Sequence, residues 1–136
     1  MVRIKSNNTE KELIRFVQSW FDLIAKGKIA EACKKLDKPN YYGIVWTPEK
    51  IKEIIKNEFG PETIFGQENP KGVFFSSVQE TEGTYRADVL KFDDGSGYSV
   101  EHNVPLNREW SDLTAQFEFI GETSEFEVIL HDLHVL

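Results

Sequence analysis

Tyr98-Ser99-Val100-Glu101-His102-Asn103-Val104 alternates apolar or aromatic side chains with polar ones, and Leu113-Thr114-Ala115-Gln116-Phe117-Glu118-Phe119 repeats the pattern further on. A period of two marks strands with one face buried and the other wet. Tyr98, Val100, His102 and Val104 share one face, as do Leu113, Ala115, Phe117 and Phe119, and that face should receive whatever covers the sheet. Working outward, the same spacing predicts strands over 73–80, 84–92, 98–104, 113–120 and 125–135. Glu82-Gly83, Asp93-Asp94-Gly95-Ser96-Gly97 and Gly121-Glu122-Thr123-Ser124 supply turn chemistry between them. Links this short permit only antiparallel hairpins, so the second half reads as a meander. Pro105 is expected to close the third strand, with 107–112 crossing to the fourth.

Upstream, the apolar period is about 3.6 instead. Thr9-Glu10-Lys11-Glu12 reads as a capping box, with Thr9 at the cap. Leu13, Phe16, Val17, Trp20, Phe21 and Ile24 then form one apolar stripe that runs to Gly27. Ile29, Ala32, Cys33 and Leu36 repeat the spacing in a short second helix that ends before Pro39. Thr47-Pro48 opens a third, since Thr is a favoured cap and Pro a favoured first helical residue; Ile51, Ile54, Ile55 and Phe59 are its buried stripe. Between these helices, Tyr41-Tyr42-Gly43-Ile44-Val45-Trp46 predicts a short strand or an ordered bridge. Residues 61–71, with Gly66 and Pro70, read as a loop. The fold class is therefore α+β: three N-terminal helices packed on an antiparallel meander, in a single domain over residues 1–136.

Composition narrows the function classes. The chain of 136 residues is 40% hydrophobic and 29% charged, as expected of one globular domain. No apolar run reaches the length of a membrane span and the start lacks a secretory signal, so a cytoplasmic location and no membrane partner are expected. Net charge is −7, but residues 1–60 carry 12 Lys+Arg against 8 Asp+Glu, while residues 61–136 carry 4 against 15. An acidic sheet repels a phosphate backbone, which argues against nucleic acid; it reads first as a solubilising surface and second as one that attracts a basic protein. The single cysteine, Cys33, excludes an internal disulfide, and its helical setting favours a core residue over a nucleophile.

Few side chains suggest chemistry. His102 falls on the expected core face, where it must find a hydrogen-bond partner or line a pocket as a general base. His131, Asp132 and His134 resemble a metal box, but in a regular strand His131 faces away from the other two, so they converge only if the strand is bulged. A dyad in which Asp132 orients His134 remains geometrically open. Asp93-Asp94-Gly95-Ser96-Gly97 lacks the spacing and closing Glu of a calcium loop and reads as a hairpin turn. No catalytic residue, metal site or cofactor is assigned.

The order of a long helix, a short helix, a third helix and a closing meander resembles the nuclear-transport-factor-2-like superfamily. Phe126-Glu127-Val128-Ile129-Leu130-His131-Asp132-Leu133-His134-Val135 is similar to the final-strand pattern of many of its members. The resemblance implies a cystatin-like α+β cone, here a bacterial member, with a curved antiparallel sheet, a pocket between the helices and its concave face, and a homodimer formed by packing sheets. It does not imply one activity, because members include isomerases, cyclases, dehydratases, association domains and immunity proteins. The expected pocket residues are Tyr42, Trp46, His102 and Asp132. The expected role is non-catalytic binding, including neutralisation of a toxin by an immunity protein. The alternative is a cofactor-independent isomerase, cyclase or hydratase using a pocket His and Asp. Expected partners are a second copy, a basic protein or a small apolar ligand.

Overall fold

The computed structural model describes residues 1–59 and 73–135; the loop expected over 61–71 lies outside them. Its elements are β1 (Val2–Arg3), α1 (Thr9–Ala25), α2 (Ile29–Lys34), α3 (Pro48–Phe59), β2 (Ala87–Lys91), β3 (Gly97–Leu106), β4 (Glu109–Glu122) and β5 (Glu125–Val135). The strands form one curled antiparallel sheet, a half-barrel in the order β1-β5-β4-β3-β2, with the three helices beside it. The α+β class holds, and the three helices precede β2 to β5 as expected, but the two-residue strand β1 comes before them.

Helix α1 starts one residue earlier than its capping box suggests. Asn8 is the cap and accepts from the Lys11 N–H at 3.1 Å, while Glu12 turns back to the N–H groups of Lys5 and Ser6 and to the Ser6 hydroxyl. Those bonds, the Ser6 hydroxyl first, hold the Glu12 carboxyl below its ordinary range. Helix α3 begins as expected, with Thr47 Oγ1 accepting from Lys50 N–H and Pro48 as the first helical residue.

The strand bounds need several corrections. Residues 73–80 form no strand: Phe75 makes a single bridge to Leu106, and a turn follows at Val78–Glu80. The apolar alternation there serves packing, because the segment is tied across the end of the β3–β4 hairpin by Asn107 and then to α1 by Asp22. The expected strand 84–92 shrinks to Ala87–Lys91. Pro105 does not close β3, which runs to Leu106 through a register shift between Asn103 and Pro105. Nor does 107–112 cross to a distant strand. Asn107 and Arg108 sit at φ 53° and 62°, a tight two-residue turn, and β4 starts at Glu109. Strand β1 was not anticipated; two residues pairing with Phe126 and Glu125 are too few to show a period.

The core lies between α1 and the inner sheet face. Leu13, Val17, Trp20, Phe21 and Ile24 of α1 are buried against Val100, Val104, Leu113, Phe117, Phe119, Val128 and Leu130. Aromatic rings meet edge to face, Phe16 on Phe119 at 5.7 Å and Trp20 on Phe117 at 5.3 Å, a geometry their quadrupoles favour. At the hairpin of β2 and β3, Asp94 accepts from Ser96 N–H. Gly97, at φ 153°, packs so closely on β4 that a Cβ there would collide with the Phe119 carbonyl. The aspartate–glycine run is a turn, as expected.

Candidate functional site

The four expected pocket residues lie in different surroundings. His102 is on the inner face and 0% exposed, ringed by Phe21, Tyr85 and Trp110. Its Nδ1 is 2.8 Å from the Asn103 carbonyl, which can only accept, so Nδ1 carries the proton; Nε2 then accepts from the Gln18 amide at 3.1 Å. Burial pushes its pKa below the ordinary value, against a smaller upward pull from the Asn103 carbonyl, and keeps the ring neutral. With both nitrogens engaged, His102 is a satisfied core histidine.

Trp46 is also buried, against β5, where its indole N–H donates to the Leu130 carbonyl at 2.7 Å. Tyr42 is 75% exposed and lines no interior. Asp132 lies on the outer face, placed there by a bulge. The ladder runs from Phe117↔Leu130 to Gln116↔Asp132, so His131 is an extra residue in β5. Leu130 and Leu133 can therefore both point inward, while His131, Asp132 and His134 all share the outer side.

The bulge that convergence required is thus present, yet it yields separate pairs. His131 Nδ1 is 3.1 Å from Glu118 Oε1, and His134 Nδ1 is 3.3 Å from Asp132 Oδ2. These are ion-pair distances without hydrogen-bond alignment, since neither Nδ1 has a hydrogen-bond partner. Among the described residues, no three His, Cys, Asp or Glu side chains are grouped to hold a metal. Cys33 is a free, half-buried thiol whose pKa is pushed up by burial and by Glu49, the opposite of what a nucleophile needs.

The outer face of the sheet carries a concentration of carboxylates. Opposite the buried stripe, alternation turns Asp88, Glu101, Glu118, Glu127 and Asp132 outward across β2 to β5, with Leu90, Ile120 and Ile129 among them. Some carboxylates have partners: Lys38 reaches Glu127 at 3.1 Å and Arg3 reaches Glu125 at 2.9 Å. Asp88 and Glu101 face each other directly across β2 and β3, and among the described residues neither has a cation within ion-pair distance. Like charges in opposed positions repel, an arrangement that a cationic surface relieves.

The two sheet edges differ as well. Among the described residues strand β2 is a short edge with no further strand beside it, and Leu90 on it is 65% exposed. Along β5, the segment predicted as a strand or bridge over 41–46 is the bridge, and it covers the edge. Asp37 exchanges two hydrogen bonds with Val128, both at 2.8 Å; the Asn40 amide donates to the His131 carbonyl at 2.9 Å; and Trp46 caps Leu130. Covering an edge in this way blocks unwanted strand pairing. Neither Asn40 nor the carboxylate pair was singled out from the sequence, although the outward positions of the alternation already carried the acidic signal.

Fold and site together define a small α+β domain with an apolar core between helices and sheet and an acidic outer sheet face. A family model described as Domain of unknown function (DUF7668) matches residues 21–136, and the chain belongs to that family. No curated protein and no solved structure matches it.

Proposed function

We propose that this protein is a non-catalytic binding domain of the nuclear-transport-factor-2-like kind, which takes a basic protein on the outer face of its sheet as a cytoplasmic immunity protein takes a toxin. Three helices ahead of β2 to β5 and a curled antiparallel sheet support the fold resemblance. The observation that carries the binding reading is the Asp88–Glu101 pair, two opposed carboxylates with no cation within ion-pair distance among the described residues, at the β2 side of an acidic face. A complementary basic surface would relieve their repulsion and be steered to it from a distance.

The isomerase, cyclase or hydratase alternative has less support. His102 is buried, neutral and doubly hydrogen-bonded, and the rings of Phe21, Tyr85 and Trp110 pack around it. A homodimer through the outer faces would bring these carboxylates together, so the reading favours a heterologous partner, and a second copy would fit better along the free β2 edge. The test is to mix the protein with the products of genes adjacent to its own, at low and at high salt. A basic product that binds at low salt, and whose binding weakens with Glu101→Lys, is expected. Binding confined to acidic or neutral products, or none at low salt, would overturn the proposal.

A further inference from the structure

Beside the acidic face, two tyrosines are held out in solvent by a loop built to hold them there. Tyr41 is 87% exposed and Tyr42 75%, with Val45 exposed next to them. Their rings meet at 87° with centroids 5.9 Å apart, so they form one aromatic knob. Isolated exposed apolar residues need no explanation, but a contiguous group on a rigid support does.

The rigidity comes from Asn40. Its Oδ1 accepts from Tyr42 N–H at 3.0 Å and Ile44 N–H at 2.9 Å, its amide donates to His131, and its backbone pairs with Gly43 and Ile44. Gly43 turns the chain at φ 78°, where side chains are disfavoured. The loop is anchored at both ends, by Asp37 on Val128 and by Trp46 on Leu130. Next to it opens a recess of about 130 Å³, with Cys33, Leu36, Pro39, Val45 and Trp46 as its apolar lining and Asp37 and Lys38 as its charged lining. The knob joins the acidic face directly: the Tyr42 ring lies 5.9 Å from His131, which contacts Glu118, and Lys38 at the recess pairs with Glu127.

We infer that the Tyr41–Tyr42 loop and its recess are the anchor point of the interface, taking an apolar side chain of a basic protein whose cations lie over Glu118, Glu101 and Asp88. This inference rests on the acidic-face reading and names where its binding energy concentrates. Tyrosine suits an anchor because it offers a large area with few rotamers to freeze, and a loop already ordered adds little further entropy cost. Charge spread over the neighbouring sheet steers the encounter, whereas the buried aromatic contact sets how long it lasts.

The test uses phage-displayed random dodecapeptides selected on the intact protein at low salt. Selected peptides should combine Lys or Arg with an apolar residue, and Tyr41→Ala and Tyr42→Ala should each weaken them by roughly tenfold. Both side chains are exposed, so the variants should keep the wild-type urea midpoint. Asn40→Ala, which frees the loop and leaves the tyrosines in place, should weaken binding by a smaller factor. Basic peptides that respond to Glu101→Lys but not to either tyrosine variant would overturn the anchor and leave the acidic face standing. Peptides without net positive charge that still need the tyrosines would remove the basic partner from the inference. Failure to enrich any peptide over the bare support would overturn it entirely.

Discussion

The two faces of β4 come from alternate residues of one 14-residue strand, and they solve opposite problems. Leu113, Ala115, Phe117 and Phe119 meet α1 and leave nothing unsatisfied; even the polar group beside them, His102, has both nitrogens occupied. Across the backbone, Gln116 and Glu118 look out on a surface where carboxylates outnumber the cations that reach them. Stability is concentrated inside, and the capacity to interact outside. A face with every group paired holds a fold together, whereas one with unpaired like charges is suited to a partner.

That contrast predicts a graded set of responses. The largest is in the core: Phe117→Ala removes a ring packed against Trp20 and Phe119 and should cost about 3–5 kcal/mol in urea unfolding. A loss below about 1 kcal/mol would mean that the inner face is not the seat of stability. Next comes the hinge between face and edge. Asn40→Ala strips three side-chain hydrogen bonds from the loop and should cost about 1–3 kcal/mol, with faster amide exchange at Tyr42 and Ile44.

The third response separates the faces by pH. His102 has a folded-state pKa below its unfolded value of about 6.5, so the unfolded chain binds the proton more readily. Its contribution is therefore intact at neutral pH and is lost as pH falls below about 6.5, by at most about 1.4 kcal/mol per pH unit. His102→Gln should flatten the stability profile between pH 7 and 5. An unchanged slope would mean that the burial of His102 does not govern the acid limb. The smallest effect is at Glu101. Glu101→Gln relieves the repulsion with Asp88 and should raise stability by only about 0.2–1 kcal/mol, an increase that shrinks as salt is added. A clear destabilisation would mean that the pair has a structural role.

Much of this was legible in the chain. The α1 stripe from Leu13 to Ile24, the Thr47-Pro48 start of α3 and the inner-face residues of β3 and β4 were readable because burial imposes a period that local residues must obey. The errors cluster where the period carries no information. Residues 73–80 alternate like a strand but pack as a tie across a hairpin. Asn107-Arg108 lacks glycine yet adopts left-handed turn geometry, and the sequence around Pro105 looks terminal although a register shift carries β3 past it. The site was less legible still. Tyr42, Trp46, His102 and Asp132 were grouped by residue type, whereas their grouping depends on long-range placement that no local pattern encodes.

The sequence alone determined the α+β class, the charge division between its halves and the face on which His102 would lie, because each follows from neighbours a few residues apart. Only the tertiary structure decided that His102 is satisfied rather than available, that a bulge at His131 turns Asp132 outward, and that Tyr41 and Tyr42 stand in solvent. Each of these depends on contacts between distant segments, Gln18 with His102 or Asn40 with His131, and such contacts exist only once the chain has closed on itself.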